Sequence, residues 1–416
     1  MKKPSKFTPK ELLQKMVEVL FQSRAIAVVA AVLIVNFAFM LFNPFGKPSA
    51  ENLPEDRSWI YWATKDYVSQ SGRPDLVFLG SSLFLHPFAM LDAKHTGQTV
   101  DHTNHHKIVY CQDRLISKLG LQKPVCATFA MPGSLISDDW IIFETLMKGK
   151  QKPKVVVLGI SARDFIDNKV RSPGTTPTFR YLSKLMDMNP LVDIALPEWR
   201  DRTDFIAGKI AYLWASKPIV QASLATQACA VLEPSVATVC GTGTLAKAEQ
   251  EKLVTRNINA QLQPGWNLIT PDYEPKFEDN TKDFGERYKT RHESLFNAEK
   301  EFFVRLIKSA KESDVQLVVL NMPIAALNTK MMPPGVYEEY RDFVKATTRQ
   351  YGVVYKDFYG DEKFPSSVFY DIVHMNHEGG RRLIDEVVDI VCKDRNCRVA
   401  LTGQKTAGIA RSGAEL

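Results

Sequence analysis

Short, almost wholly apolar runs alternate along this chain with longer stretches in which apolar residues return every three or four positions. The runs at 75–80 (DLVFLG), 125–130 (VCATFA), 154–160 (KVVVLGI), 315–322 (VQLVVLNM) and 353–358 (VVYKDF) have the length of strands. VVVLG and VQLVVL are apolar at every position, the pattern of strands buried on both faces in a parallel sheet. Helical spacing runs over 134–148, where Ser134 is a candidate N-cap and Ile136, Trp140, Ile141, Phe143 and Leu146 are apolar. It returns at 287–313 (Leu295, Phe302, Phe303, Leu306, Ile307) and at 380–391 (Leu383, Ile384, Val387, Val388, Val391). Strands alternating with helices predict an α/β fold: a three-layer α/β/α sandwich on a parallel sheet with right-handed crossovers.

Two regions depart from this alternation. Residues 25–42 (AIAVVAAVLIVNFAFMLF) carry no charge and a single polar side chain, Asn36. At about 1.5 Å of rise per residue, such a helix approaches the hydrocarbon thickness of a bilayer. Lys2, Lys3, Lys6, Lys10, Lys15 and Arg24 precede it, whereas Glu51, Glu55 and Asp56 follow. The positive-inside rule then places 1–24 in the cytoplasm, a single transmembrane anchor at 25–43, and the rest outside. A cleaved signal peptide or a buried core helix are the alternatives, although no A-x-A-like site precedes Pro44. Beyond it, 44–73 reads as a linker and first helix, 74–392 as the main domain, and 393–416 as a tail. The second departure is 166–285, with little strand signal, several prolines and a Gly/Thr-rich stretch near Gly241–Thr244; it reads as a largely helical insertion. Its most apolar part, 205–232, is interrupted by Lys209 and Lys217; a lid, a helix on the membrane surface and plain packing all remain open.

Composition changes this picture little. In 416 residues, 45% are apolar, and a formal charge of +6 is scattered, which gives no reason to expect a nucleic-acid partner. The six cysteines fall into sequence-local couples, Cys111/Cys126, Cys229/Cys240 and Cys392/Cys397. Outside the cytoplasm such couples can form disulfides, and proximity alone suggests this pairing; buried free thiols are the alternative.

The candidate chemistry lies in two places. Leu76–Ser82 (LVFLGSS) ends a strand in two serines, where open parallel sheets bind ligands and a following helix N-terminus favours a developing oxyanion. Near the other end, FYDIVHMNHEGG places Asp371 three residues before His374. A serine hydroxyl needs a base to take its proton, and a histidine does so best when a carboxylate fixes its tautomer. His377 is a rival base that lacks a carboxylate at that offset. His95, His102, His105 and His106 also cluster, but their spacing matches no closed metal site and reads as a solvated loop. Neither a cofactor nor a metal is expected.

A serine after the first strand and D-x-x-H before the last helix resemble the SGNH (GDSL-like) hydrolase superfamily, over about 74–392. Gly80-Ser81-Ser82 matches that family's first block, which implies Ser82 as nucleophile with His374 and Asp371 as its partners. FAMPGSLISDDW resembles the second block, with Gly133 as an oxyanion donor beside the Ser82 N–H. The third block, normally G-x-N-D, reads Gly159-Ile160-Ser161-Ala162-Arg163-Asp164; its asparagine is absent, and Ser161 or Arg163 are the possible substitutes. The G-S-S variant and the anchored layout are similar to the membrane-anchored, DltD-like branch that serves polysaccharide acylation. That resemblance implies a flavodoxin-like fold and a periplasmic or cell-surface O-acyltransferase or O-acetylesterase. It further implies a polysaccharide or acylated-glycan substrate and a multi-span membrane acyltransferase as partner. A non-catalytic glycan-binding or scaffolding component is the alternative.

Overall fold

The computed structural model describes residues 24–43, 48–70, 72–149, 151–212, 262, 265 and 267–403. Its strands are β1 (Leu76–Ser81), β2 (Val100–Asp101), β3 (Cys126–Met131), β4 (Val155–Ile160), β5 (Leu268–Ile269), β6 (Gln316–Asn321) and β7 (Val354–Asp357). Five of them form one parallel sheet in the order β3-β1-β4-β6-β7. Every expected run becomes a strand of this sheet. The reason is burial: each residue of β1, β3 and β4 is shielded from solvent, so both faces of those strands must be apolar. From β1 the chain passes first to β3 on one side and then to β4 on the other. That reversal is the topological switch point of flavodoxin-like sheets, and it opens a crevice at the carboxyl end of β1.

The main helices are α1 (Arg24–Phe42), α2 (Trp59–Ser69), α3 (Ser82–Thr96), α4 (Val109–Leu119), α5 (Ile136–Ile142), α6 (Trp199–Ile210), α7 (Glu293–Glu312), α8 (Val336–Tyr351), α9 (His377–Lys393) and α10 (Arg395–Thr402). α9 packs on α3 and α4, while α7 packs on α5, giving two helical groups about the sheet. Gly80 and Gly159 lie opposite each other in the register of β1 and β4. The Phe84 ring covers them; a Cβ on Gly159 would overlap that ring and crowd Met322 Sδ. Gly159→Ala is therefore expected to lose about 1–3 kcal/mol by overpacking. Urea unfolding checks this, and a variant as stable as the wild type would show that Phe84 has room to move.

Several boundaries differ from expectation. Ser134 does not cap a helix over 134–148; Leu135 stands at the cap, and α5 is followed by a π-helical turn at Phe143–Met147. The helix expected over 287–313 divides at 288–292 between a short helix, Thr281–Arg287, and α7. Within 44–73, α2 joins the main core, burying Trp59, Ile60, Ala63 and Tyr67. The presumed tail begins as α10, which buries Cys397 and Leu401. Within the insertion, β5 pairs antiparallel with β2, tying it to the loop after α3; 213–261 and the Gly241–Thr244 stretch lie outside the described residues.

α1 covers the apolar N-terminal run and exposes Val28, Leu33, Ile34, Phe37 and Leu41. Among the described residues no helix is long and apolar enough to cross a membrane, and residues 1–23 lie outside them. Asn36 accepts the Tyr212 N–H at 2.6 Å and Asn43 accepts the Tyr212 hydroxyl at 2.7 Å, so the end of the α6 segment docks on α1.

Candidate active site

Ser81 and Ser82 end up in different environments although they are neighbours. Ser81 completes β1; its side chain is buried and its Oγ has no hydrogen-bond partner. Ser82 opens α3, whose leading N–H groups have no intrahelical acceptor. Its Oγ lies 2.8 Å from His374 Nε2, and His374 Nδ1 lies 2.6 Å from Asp371 Oδ2. The second oxygen of Asp371 accepts the N–H groups of Val373 and His374, at 2.7 and 2.5 Å. Asp371 is buried, and bonding to two backbone donors fixes its carboxylate as the acceptor of the His374 ring proton. With Nδ1 protonated, Nε2 is left as the acceptor for the Ser82 hydroxyl.

The two ends of the chain meet because α9 approaches α3 closely. A Cβ on Gly380 would come within 2.8 Å of the Pro87 carbonyl oxygen on α3, and one on Gly379 within 2.6 Å of Met375 Cβ. Asn376 caps α9 by accepting the Glu378 and Gly379 N–H groups, at 3.0 and 3.1 Å, which fixes where the helix starts. The loop before it closes through Tyr370 N–H to His374 O and Asn376 N–H to Val368 O, at 3.1 and 2.9 Å. His377, the rival base, begins α9 and has Glu274 as its carboxylate neighbour, 3.6 Å from Nδ1.

The oxyanion candidates separate into two groups. Gly133 adopts a left-handed φ of 70° in the turn after β3. Ser81 pairs with Met131 in the sheet, so Ser82 and Gly133 leave adjacent strands at the same edge. Ser161 and Arg163, the expected substitutes for the missing asparagine, are otherwise engaged. The Ser161 N–H donates to Asp164 Oδ2 at 2.7 Å, and its hydroxyl faces the same oxygen at 3.3 Å. Buried Arg163 donates to Ser134 O at 2.7 Å and pairs with Asp164 at 2.5 Å. Through Nη2 it braces the residue after Gly133, while its Nη1 has no hydrogen-bond partner.

Behind this brace lie Asp138, Asp139, Asp164 and Glu299, all buried. Burial pushes Asp138 up to about 6, against the hydrogen bonds from Thr176, Leu135 and Phe179. Burial, then neighbouring Asp164 and Asp138, hold Asp139 well above the usual carboxylate range. Burial also raises Glu299, against two hydrogen bonds from Ser137. A carboxyl whose pKa is higher folded than unfolded binds more protons in the folded state, so stability declines as pH rises from near 4 through the folded value. Asp139→Asn, which is neutral throughout, is expected to melt near the wild-type temperature at pH 4 and above it at pH 8. Melting curves across that range check this; parallel curves would show that Asp139 is ionised in the fold at little cost.

Apart from His95, which is exposed on α3, the histidine cluster is built into the protein instead of forming a solvated loop, because the segment is pinned between α3 and α4. His102 and His106 are buried. His105 bonds at 2.7 Å to Asp92, which also accepts the Val109 and Tyr110 N–H groups at the start of α4. His95 bonds to Asp113 at 2.7 Å. Among the described residues no group of three or more His, Cys, Asp or Glu is arranged to hold a metal ion.

Cys111, Cys126, Cys392 and Cys397 are free thiols, so neither expected pair among them is bridged. Cys111 and Cys126 are nevertheless neighbours: burial, and then the Cys111 thiol beside it, raises Cys126. Cys392 has Cys111 as a neighbour, whereas Cys397 is buried on α10 and interacts with Asp394. Cys229 and Cys240 lie outside the described residues.

Two side chains that the sequence did not single out flank His374. Tyr370 stacks on one side of the imidazole, with centroids 5.8 Å apart and planes 16° apart. His86 meets it edge-to-face at 5.4 Å and 83°. The i, i+4 spacing of Ser82 and His86 on a helix that starts at the candidate nucleophile is the signal that could have found the second. A cavity of about 180 Å³ opens beside Gly133, lined also by Ser58, Trp59, Lys169, Thr176 and Thr178. No protein-family model matches the chain, and no curated protein matches it significantly.

Proposed function

We propose that the chain is an SGNH-type serine acyl-transfer enzyme, an O-acyltransferase or O-acetylesterase acting on a cell-envelope or exported polysaccharide outside the cytoplasm. The observation that carries this reading is the hydrogen-bonded chain from Ser82 through His374 to Asp371 at the switch point of the sheet. His374 takes the Ser82 proton as Oγ attacks an ester carbonyl. The Ser82 and Gly133 N–H groups face the oxygen that becomes negative, and His374 returns the proton to the leaving alcohol. The acyl group then passes from Ser82 to water or to a sugar hydroxyl.

Although no described helix is by itself long and apolar enough to cross a membrane, the exposed apolar surface of α1, behind a lysine-rich N-terminus, favours attachment to a membrane at this end of the chain, with the domain outside. A multi-span membrane acyltransferase as donor partner follows from the family resemblance alone. One observation favours the second reading, a non-catalytic glycan-binding or scaffolding component: the Ser161 N–H is already committed to Asp164. Loss of one oxyanion donor costs on the order of 10²–10³ in rate. Turnover of p-nitrophenyl acetate by the detergent-purified chain tests between them, with product analysis in the presence of an oligosaccharide acceptor to separate transfer from hydrolysis. Turnover that exceeds the Ser82→Ala background supports the enzyme; none above that background supports the scaffold.

A further inference from the structure

His374 is gripped between two rings, and the one on the nucleophile's own helix carries an inference that rests on the serine-enzyme reading above. Ser82 and His86 are four residues apart on α3, and such residues share a helix face. The ring of His86 therefore lies one turn beyond Ser82, where it meets His374 edge-to-face. Tyr370 stacks on the same imidazole, nearly parallel to it. His86 is itself backed by His102, with centroids 5.0 Å apart, and His102 by Trp59 at 5.3 Å. His102 does not swing: Nε2 is 3.3 Å from Leu85 O, and Nδ1 is 3.0 Å from the Asn267 side-chain amide. These bonds fix it as a neutral ring with its proton on Nε2.

We propose that His86 is a positioning residue for His374: with Tyr370 it holds the imidazole plane on the line from Asp371 to Ser82, and His102 and Trp59 hold His86 in turn. Two hydrogen bonds fix the His374 ring along its long axis but leave it free to tilt about that axis. The ring contacts with Tyr370 and His86 oppose the tilt. The groups that face His86 are His102, from the loop after β2, and His374, from the loop before α9. Burial, with these two imidazoles next, holds the His86 pKa well below that of a free histidine, so the ring is uncharged near neutral pH. A neutral ring does not repel the imidazolium that forms on His374 when it takes the serine proton. What His86 contributes is shape, and an uncharged ring of similar outline should replace it.

The experiment compares full-length wild type, His86→Ala and His86→Phe in detergent. It reads the second-order rate of labelling by a fluorophosphonate, with kcat and KM for p-nitrophenyl acetate and the melting temperature of each protein. His86→Ala is expected to label and turn over roughly 10- to 100-fold more slowly, the cost of a misplaced catalytic group, through kcat with little change in KM. His86→Phe is expected to recover most of that loss. Wild-type rates in both variants would overturn the proposal, because the ring would then be dispensable. Equal loss in both, with melting temperatures unchanged, would also overturn it, since His86 would be acting through its nitrogens. A wild type that the probe does not label would instead remove the serine-enzyme reading, and the positioning role with it.

Discussion

Ser82→Ala is expected to lower ester turnover by on the order of 10⁴–10⁶, the range seen when a triad serine is removed from a serine hydrolase. The same substitution one residue earlier is expected to leave turnover within a few-fold. The contrast follows from where β1 ends. Ser81 faces the interior with an unpartnered Oγ, so its removal leaves no polar atom stranded. Ser82 lies at the helix start with its Oγ 2.8 Å from His374. Steady-state kinetics of the two alanine variants on p-nitrophenyl acetate check this. A Ser81→Ala loss as large as that of Ser82→Ala would show that the strand-to-helix turn needs both hydroxyls.

Asp371→Asn is expected to cost about 10⁴ in kcat while KM, melting temperature and circular dichroism stay near wild type. Asparagine is close in shape to aspartate, and its carbonyl oxygen can still accept the Val373 and His374 N–H groups. Its amide nitrogen then faces His374 Nδ1, where the carboxylate oxygen stood. A donor at that place needs an acceptor on the ring, so the proton moves to Nε2. A protonated Nε2 cannot take the Ser82 proton. The loss thus comes from the wrong tautomer and not from lost structure. Kinetics together with imidazole nitrogen shifts by NMR check both halves: kcat should collapse and the Nε2 resonance should become that of an N–H nitrogen. Retained kcat would mean that His374 is oriented without Asp371.

The sheet was legible in the sequence because burial on both faces leaves few choices of side chain. VVVLG at 155–159 reads as a buried strand whatever surrounds it. α8 was not legible: it buries only one stripe, Val336, Tyr337, Tyr340, Val344, Thr347 and Thr348, and that stripe is largely tyrosine and threonine. At the site, Ser82 and His374 stand 292 residues apart, and no local pattern records that they touch. Their pairing came from a family's block order; the glycine at 380, against the Pro87 backbone, shows what allows it physically, the closeness of α9 to α3.

Several side chains have partners that their neighbours in sequence did not show, and for a common reason. Ser161 and Arg163 have donor chemistry, but donors are spent on whichever acceptor is nearest, and Asp164 is close to both. Cys392 and Cys397 are close in sequence but lie on separate helices and are not bridged. The four histidines looked solvated because their neighbours in sequence are polar; Asp92 and Leu85, on α3, hold two of them in the protein. Type and spacing identify groups able to react or bond. Orientation decides which of them do, and it is set by elements distant in sequence.

The most direct measurement is labelling of the detergent-purified, full-length chain with a fluorophosphonate, followed by peptide mapping in a mass spectrometer. The expected result is a single stoichiometric adduct on Ser82, absent from Ser82→Ala and slowed by Asp371→Asn. An unlabelled wild type, or an adduct that persists at the same rate in Ser82→Ala, would contradict the assignment of Ser82, His374 and Asp371 as a working triad.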